Sequence, residues 1–218
     1  MQLLAFFDLD GTLLDRDAAF DLWVGEFVSD RALDASARDW LMAEDARHSG
    51  PMDGFFEKVR ERFGVGDSVE RLWGRYRKRM PELVVCGPAA LAAVRDLRAA
   101  GWRVAIVTNG MQDNQLAKIQ RTGLAEVVDS WCISEEAGVR KPHPEIFRAA
   151  ARRCGALIDH GGWMVGDSLS ADIEGGRAAG LRTIWLRGRR APDQRPAGVT
   201  PDFTVGSVPE AVRVIRRA

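Results

Sequence analysis

The sequence contains little cysteine. Its three cysteines, Cys86, Cys132 and Cys154, lie far apart in a chain of 218 residues. An odd number without a Cys-x-x-Cys spacing does not fit a disulfide framework or a cysteine-ligated metal site. Because all three lie in apolar or helical contexts, we expect reduced thiols that fill core space in a cytoplasmic protein.

The chain also lacks an excess of charge of either sign. Lys and Arg together number 31, as do Asp and Glu, so the formal net charge is zero. This balance argues against a general nucleic-acid or membrane-surface binder, which would show a marked basic excess. No basic segment precedes a long apolar run, and Asp8 interrupts the first apolar run early. We therefore expect neither a secretory signal nor a transmembrane span.

What the chain does contain is an alternation of apolar segments and helical patterns. Five apolar segments without polar alternation are typical of strands in a parallel sheet covered on both faces. These segments are Leu3–Phe7, Arg103–Val107, Ser130–Ser134, Gly162–Gly166 and Arg182–Leu186. From Pro88 onward, helical patterns that stop at glycine lie between them. This order predicts an α/β fold with a doubly wound, Rossmann-like parallel sheet.

The last part of the sequence differs in composition. The segment Arg187–Pro201 is rich in Arg, Pro and Gly, and we interpret it as an exposed connection rather than a nucleic-acid patch. The residues that follow predict an edge strand at 202–205 and a closing helix at 207–218.

A long stretch between the first and second predicted strands contains no convincing strand. From Asp15 to about Glu82, the apolar residues instead form four amphipathic helical stripes. This connection is much longer than a βα crossover needs. We therefore predict an inserted all-helical cap domain at residues 15–82 and a core domain formed by 1–14 and 83–218. Because such sheets bind ligands beyond the carboxyl ends of their strands, we expect the insertion to lie over the site as a lid.

Polar side chains follow the predicted strands at the points where the strands end. They are Asp8 and Asp10 after the first strand, Thr108, Asn109 and Gly110 after the second, Lys141 after the third, and Asp167 and Asp172 after the fourth. Because the carboxyl ends of parallel strands meet at one edge of the sheet, we expect these residues to form one site. The two neighbouring aspartates repel each other, so this site must also supply compensating positive charge.

Three of the aspartates favour a metal site. Asp8, Asp10 and Asp167 offer oxygen ligands for a hard divalent cation, which we predict to be Mg²⁺. The cation would offset the repulsion and keep the aspartates ionised near neutral pH. Lys141 adds a compact positive charge that suits a phosphate or an acyl-phosphate.

The turn after the second strand predicts an anion site. Thr108, Asn109 and the amides around Gly110 supply neutral donors at a helix N-terminus, although the same residues could form only a turn. With a metal, a lysine and a free carboxylate, this turn suits phosphoryl transfer, in which positioning and charge stabilisation dominate. One aspartate can attack phosphorus, and the other can protonate the leaving oxygen and later activate water.

Four short motifs carry a resemblance to a known family. In order and spacing, DLDGT, TNG, KP and GDSLSAD resemble the motifs of the haloacid dehalogenase-like (HAD) superfamily. The helical insertion resembles the type 1 helical cap of that superfamily. The stretch from about Val104 to Leu186 is similar to nucleotidase-like and acylneuraminate-phosphatase-like members, which share TNG and ISEE.G..KP.

The resemblance implies a role for each matching residue. It implies that Asp8 is the nucleophile and Asp10 the general acid and base. It also implies that Thr108 and Lys141 bind the phosphate. The implied Mg²⁺ ligands are Asp8, Asp167 and the backbone carbonyl of Asp10.

Two aspartates keep structural alternatives. The resemblance implies that Asp172 orients Lys141 or a metal-bound water, but Asp172 could equally cap a predicted helix over Ile173–Ala179. Asp10 could merely form a turn with Gly11, since Asp-Gly is a common turn pair. The three other motifs favour the functional interpretation of Asp10.

One loop of the predicted cap offers candidate substrate contacts. The segment Ala46–Gly54 is marked by Gly and Pro and lies between two predicted helices. In similar helical caps the corresponding loop reaches the substrate, so Arg47 and His48 could bind the polar end of a substrate. The favoured interpretation is that both are ordinary exposed loop residues.

The sequence therefore predicts a cytoplasmic, Mg²⁺-dependent phosphatase of the HAD type. We expect it to hydrolyse a small phosphomonoester, a nucleotide or a sugar phosphate, through an aspartyl-phosphate, with neither nucleic acid nor membrane as a partner. The oligomeric state and the substrate stay open at this point.

Three other functions compete with this prediction. A phosphomutase of the same fold uses the same two aspartates, and the core motifs do not separate it from a phosphatase. A haloacid dehalogenase is disfavoured because members with that activity lack the second aspartate of the first motif, which is Asp10 here. A non-catalytic binding protein is disfavoured because its motifs should be eroded, and no main position is missing.

Overall fold

The computed structural model describes residues 3–48, 50–188 and 198–217. Contacts divide this chain into two compact units, which we call the core unit and the helical unit. The core unit takes in the described residues up to Asp15 and from Val85 onward, and the helical unit is Arg16–Val84. The sequence predicts these divisions after residues 14 and 82. Residues 189–197 of the predicted exposed connection lie outside the described residues.

The core unit is built on a parallel sheet. Within the described residues, its strands are β1 (Leu4–Phe7), β2 (Arg103–Thr108), β3 (Ser130–Ile133), β4 (Trp163–Gly166), β5 (Arg182–Leu186) and β6 (Phe203–Val205). They form one sheet in the order β3-β2-β1-β4-β5-β6, with parallel neighbours throughout. The predicted doubly wound α/β fold is thus confirmed, and each of the five apolar segments forms a strand. The predicted edge strand is β6.

The central strand β1 determines where a ligand can bind. It pairs with β2 through Phe7 and Ile106, and with β4 through Phe7 and Val165. All residues of β1 and β4 are buried, as expected for strands covered on both faces. Because β2 and β3 lie on one side of β1 and β4 to β6 on the other, the topological switch point is at the carboxyl end of β1.

The helical unit has an aromatic core. Its described residues form α1 (Arg16–Asp30), α2 (Ala35–Arg47), α3 (Met52–Phe63) and α4 (Val69–Leu83). Trp23 of α1, Phe56 of α3 and Tyr76 of α4 pack edge to face, with ring centroids 5.0 to 5.7 Å apart. Such pairs stabilise a core beyond the apolar area that they bury. The apolar stripes of the sequence thus supply most of the buried residues of these helices.

The helices of the core unit follow its strands. Over the described residues they are α5 (Pro88–Ala99), α6 (Gln112–Arg121), α7 (Leu124–Val127), α8 (Ser134–Ala137), α9 (Pro144–Arg153), α10 (Gly175–Ala178) and α11 (Val208–Arg217), with a 3-10 turn at Ile158–His160 and a π-helical segment at Leu169–Glu174. The predicted helix Ile173–Ala179 is wrong at its start, because the Ser168 hydroxyl accepts a hydrogen bond from the Ala171 N–H and begins helical structure earlier. In the described parts of the chain, no helix is both long and apolar enough to cross a membrane.

The three cysteines are buried in the core unit as free thiols. Burial raises the pKa of the Cys86 thiol to about 11 and also raises the pKa of Cys132 and of Cys154. The thiols therefore stay protonated near neutral pH and pack as small apolar side chains.

Candidate active site

The carboxyl ends of β1, β2 and β4 bring the sequence-predicted polar residues to one edge of the sheet. Asp8 follows β1, Thr108 ends β2 and Asp167 follows β4. The Asp8 N–H donates to the Val165 carbonyl at 2.9 Å, which extends the pairing of β1 with β4 up to the carboxylate. The rigid sheet therefore fixes the backbone that carries these side chains.

Lys141 joins two of the aspartates. Its Nζ lies 2.6 Å from Asp8 Oδ1 and 2.6 Å from Asp172 Oδ1. The lysine is 4% exposed and Asp172 is 1% exposed. Although burial disfavours the ammonium, the carboxylates of Asp172 and Asp8 raise the pKa of Lys141 above its usual value. Lys141 is therefore a buried, charged group within hydrogen-bond distance of the predicted nucleophile.

The side chain of Asn109 fixes the backbone that carries Lys141. Its Nδ2 donates to the Lys141 carbonyl at 3.0 Å, and its Oδ1 accepts from the Lys141 N–H at 2.9 Å. A single amide thus satisfies both backbone groups of one residue. One N–H of the amide is not used by these two bonds, so the contact of Asn109 with phosphate stays a prediction beside this positioning contact.

Asp172 contacts Lys141 and does not occupy a helix N-cap. The N-cap of the π-helical segment is Ser168, and Asp172 Oδ2 accepts from the Ser168 N–H at 3.0 Å. The interpretation of Asp172 as the N-cap of a helix is therefore wrong. A Cβ at Gly166 would overlap the Asp172 carboxylate, so glycine is needed at the end of β4 for this carboxylate to reach Lys141.

Asp10 lies at the start of a tight turn. The Gly11 N–H donates to the Leu14 carbonyl at 3.0 Å, and Gly11 has a φ of +85°, a conformation that favours glycine. A Cβ at Gly11 would also overlap the Asp167 carboxylate. The Asp10-Gly11 pair therefore forms a turn that brings the chain close to Asp167, and the functional interpretation of Asp10 stays a prediction.

The carboxylates of Asp8, Asp167 and Asp172 together carry more negative charge than Lys141 can offset. Burial raises the pKa of Asp8 to about 7 and that of Asp167 to about 8, and the neighbouring carboxylates raise both against the opposing effect of Lys141. Carboxylate oxygens of Asp8, Asp167 and Asp172 lie within 4.8 Å of one another. An oxygen donor set with excess negative charge fits a hard divalent cation such as Mg²⁺. Asp172 thereby joins the donor set expected from the sequence.

Two residues that the sequence did not single out contact Asp10. Lys118 Nζ lies 2.9 Å from Asp10 Oδ1 and 2.8 Å from Oδ2. Gln115 Nε2 donates to Asp10 Oδ2 at 2.9 Å and to Thr108 Oγ1 at 2.7 Å. Both side chains come from α6, three residues apart, and therefore lie on the same face of that helix. The Asp10 carboxylate thus has partners different from those of Asp8.

A signal for these residues exists in the sequence of α6. The buried positions of this helix include Asn114, Gln115 and Lys118 besides Ile119. Polar side chains on a helix face that packs inward need partners. A search for polar residues at core-facing positions after the TNG motif would have indicated Gln115 and Lys118.

The anion site predicted at the turn after β2 is partly occupied by the chain itself. The Gly110 N–H donates to Ser134 Oγ at 3.0 Å, and the Gln112 N–H, at the start of α6, donates to Glu135 Oε2 at 2.6 Å. Because these two donors already have partners within the chain, phosphate binding by the amides around Gly110 stays a prediction. Within the predicted phosphate-binding set, Lys141 contacts Asp8 and Asp172 directly, and Thr108 is linked to Asp10 through Gln115.

Arg47 and His48 lie in the helical unit and make local contacts there. Arg47 is the last residue of α2 and donates to Glu44 Oε2 at 3.0 Å. His48 Nε2 lies 2.9 Å from the Pro51 carbonyl. The predicted loop Ala46–Gly54 is too long, because α2 extends through Arg47 and α3 begins at Met52, with Pro51 at its N-cap. A contact of either residue with substrate stays a prediction.

Comparison with known sequences gives matches across most of the chain. The family described as haloacid dehalogenase-like hydrolase matches residues 3–180. Pyrimidine 5'-nucleotidase YjjG of Escherichia coli K12 is 34% identical over 162 residues, which cover 74% of this chain and 70% of that protein. Phosphoserine phosphatase of Thermus thermophilus is 34% identical over 160 residues, which cover 72% of this chain and 61% of that protein.

Comparison with solved structures supports the same fold. The crystal structure of the HAD-hydrolase YfnB from Bacillus subtilis, described as bound to magnesium, superposes with a TM-score of 0.80. The superposition covers 99% of this chain and 100% of that one, at 23% sequence identity. At this identity the similarity shows the fold, a Rossmann-like core with a cap.

Proposed function

This chain belongs to the haloacid dehalogenase-like hydrolase family and is an enzyme of that hydrolase type, and we propose that it hydrolyses a small phosphomonoester in an Mg²⁺-dependent reaction. The observation that carries the proposal is the contact of buried Lys141 with both Asp8 and Asp172 at 2.6 Å. The Asp8 carboxylate can act as a nucleophile toward phosphorus. The ammonium of Lys141, fixed beside it, supplies positive charge that can hold a phosphoryl group for that attack.

The first step forms an acyl-phosphate on Asp8. A carboxylate oxygen of Asp8 attacks phosphorus, and the bond from phosphorus to the leaving oxygen breaks. The Asp10 carboxyl gives its proton to that oxygen, which leaves as an alcohol. Lys141 and the hydroxyl of Thr108 bind the non-bridging oxygens, as the family motifs imply for these positions.

The second step restores the enzyme. The Asp10 carboxylate takes a proton from a water molecule, whose oxygen attacks phosphorus of the acyl-phosphate. The bond between phosphorus and the Asp8 oxygen breaks, inorganic phosphate leaves, and the Asp8 carboxylate is regenerated. One water is consumed in each turnover, and Asp10 ends the cycle protonated as it began.

The acidic cluster supports a role for Mg²⁺. Asp8, Asp167 and Asp172 would hold the ion together with the backbone carbonyl of Asp10. When bound, Mg²⁺ neutralises charge on the phosphoryl oxygens. The raised pKa values of Asp8 and Asp167 support this assignment, because a neighbouring cation removes the charge excess that keeps both groups protonated. YfnB, of similar fold, is described as bound to magnesium.

A nucleotide or a sugar phosphate remains our proposed substrate class. The similar proteins carry names that point to different phosphomonoesters, a pyrimidine nucleotide and phosphoserine, so no single substrate is transferred from them. Arg47 and His48 of the helical unit are our candidates for contacts with the part of the substrate beyond the phosphate. A cytoplasmic location and the absence of nucleic-acid and membrane partners remain part of the proposal, supported by the balanced charge and the free cysteines.

The test is turnover of a phosphomonoester panel by the purified protein with Mg²⁺. We expect release of inorganic phosphate, loss of activity with EDTA and recovery with added Mg²⁺. Asp8→Asn should lower kcat by at least about 10³-fold, because it removes the nucleophile. Asp96→Asn, an exposed residue of α5, is the matched control and should keep activity.

The same assay separates the rival functions. Phosphate released without a bisphosphate activator contradicts a phosphomutase, and halide released from a haloacid would indicate a dehalogenase. Full activity of Asp8→Asn, or full activity in EDTA, would contradict the proposed mechanism.

A further inference from the structure

Lys118 is a buried lysine outside the four sequence motifs. Its side chain is 5% exposed, whereas that of Asp10 is 23% exposed. Burial of an ammonium is costly unless a charged partner offsets it, and both carboxylate oxygens of Asp10 lie within 2.9 Å of Nζ. The bidentate contact restricts the rotation of the Asp10 carboxylate while one side of it stays accessible.

Gln115 links Asp10 to the phosphate-binding position. Its Nε2 donates both to Asp10 Oδ2 and to Thr108 Oγ1. Thr108 Oγ1 accepts this bond and donates to the Asn109 carbonyl only at 3.5 Å, so its hydroxyl keeps a long, weak bond that a phosphoryl oxygen would replace. The amide of Gln115 therefore sets the hydroxyl of Thr108 and the carboxylate of Asp10 relative to each other.

We propose that Lys118 is a positioning residue for Asp10, and that it holds the carboxylate in the orientation from which Asp10 exchanges a proton with the leaving oxygen and with water. This inference rests on the proposed phosphatase function. The contact with Lys118 comes from α6, so it does not depend on Asp8, Lys141 or the metal-binding carboxylates. Lys118 acts through Asp10 and does not touch the reacting phosphoryl group.

Loss of a residue that positions Asp10 should affect the kinetics of two kinds of phosphomonoester differently. An alkyl phosphate needs a proton from Asp10 to expel its alcohol, whereas p-nitrophenolate leaves without one. Both substrates form the same phosphoenzyme, whose hydrolysis needs Asp10 as a base. If Lys118 positions Asp10, its loss slows the first step only for the alkyl phosphate and slows the second step for both.

The experiment is a rapid-quench comparison of glycerol phosphate and p-nitrophenyl phosphate with the Mg²⁺-loaded full chain. For Lys118→Met, we expect kcat for glycerol phosphate to fall by about 10²-fold, the lower end of the usual contribution of a general acid or base. The rate of the first turnover of p-nitrophenyl phosphate should change less than about threefold. The steady-state rate that follows should be slow, because hydrolysis of the phosphoenzyme needs Asp10. With p-nitrophenyl phosphate, the phosphoenzyme of Lys118→Met should accumulate, as measured by acid quench and mass spectrometry.

Further variants separate positioning from a merely structural role. Lys118→Arg keeps the charge and should recover part of the lost rate, and Arg121→Met, an exposed residue at the end of the same helix, should behave as the parent protein. In an Asp10→Asn background, Lys118→Met should cause no further loss, because its partner charge is already gone. If Lys118→Met does not fold, Lys118→Gln gives the same comparison. The double variant Asp10→Asn/Lys118→Met removes both charges of the pair, so it leaves no buried unpaired charge.

The outcomes are distinct. Equal losses for both substrates in the first turnover, without phosphoenzyme accumulation, would overturn the role of Lys118 and leave the proposed function standing. Additive losses in the Asp10→Asn background would also overturn it. Failure of the parent protein to release phosphate from these two substrates and from every phosphomonoester of the panel would instead overturn the proposed function, and the role of Lys118 with it.

Discussion

Asp8 and Asp10 are separated by one residue, yet their carboxylates have different surroundings. The Asp8 side chain is 9% exposed and contacts Lys141, whereas that of Asp10 is 23% exposed and contacts Lys118. The chain turns after Asp8, so the two carboxylates diverge toward different elements. Asp8 faces further buried carboxylates that favour a cation. Asp10 has access to solvent and thus to a leaving group or water, and this difference matches the two roles.

We expect the largest effect from Lys141→Met, which tests the surroundings of Asp8. The substitution leaves Asp8 and Asp172 without their shared ammonium, and removal of one partner of a buried pair costs about 3–5 kcal/mol in unfolding free energy. We expect kcat/KM to fall by about 10²–10³-fold as well, because a charge aimed at the phosphoryl group is lost. Denaturant unfolding and steady-state kinetics measure the two effects.

Lys118→Met provides the contrast for this experiment. Because Asp10 is partly exposed and keeps its bond from Gln115, we expect a smaller loss of stability than for Lys141→Met. Equal losses of unfolding free energy in the two variants would contradict the difference in surroundings described above.

The second prediction concerns pH and Mg²⁺. Without metal, the raised pKa values of Asp8 and Asp167 mean that the folded state binds more protons than the unfolded chain between about pH 4 and about pH 8. The contribution of these groups to stability is present below this window and is lost as the pH rises through it. Mg²⁺ requires the deprotonated carboxylates, so its stabilising effect should increase over the same window.

The size of this effect follows from mass action. At a free Mg²⁺ concentration of 100 times Kd, the gain in unfolding free energy should be about 2.7 kcal/mol. Unfolding in EDTA and in Mg²⁺, at about pH 5 and about pH 8, measures it. Asp167→Asn should remove most of the gain and Lys118→Met should retain it. A gain that is independent of pH would show that the carboxylates do not hold the ion.

The smallest expected effect concerns Asn109, which fixes the backbone of Lys141. Asn109→Ala leaves the Lys141 N–H and carbonyl without their side-chain partner, which should lower the unfolding free energy by about 1–3 kcal/mol. We expect kcat/KM to fall less than in Lys141→Met, since the ammonium itself is retained. An Asn109→Ala variant as inactive as Lys141→Met would mean that the amide binds substrate directly.

The sheet could be predicted because its signals are local. Apolar runs such as Arg182–Leu186 and the polar residues at their ends are visible without knowledge of long-range contacts. Strand order then brings Asp8, Thr108 and Asp167 together, since parallel strands end at one edge. Chain position alone was thus enough to bring these residues to one site.

The contacts among the site residues could not be predicted in the same way. Whether Asn109 binds an anion or the backbone of Lys141 depends on a partner 32 residues away. The pairing of Lys118 with Asp10 spans 108 residues, and a lysine in the last turn of a helix is ordinarily read as a solvated or dipole-favouring charge. Asp172 was mistaken for a possible N-cap because the π-helical segment begins at Leu169, before the predicted helix.

The central claim is that Asp8 accepts the phosphoryl group, and acid quench of the working enzyme tests it most directly. The Mg²⁺-loaded protein is mixed with a phosphomonoester that it hydrolyses, quenched within the first turnovers, digested and analysed by mass spectrometry. We predict one added phosphoryl group on the peptide that carries Asp8, and none on that peptide in Asp8→Asn. Steady turnover with no phosphorylated Asp8, or with the phosphoryl group on another residue, would contradict this account.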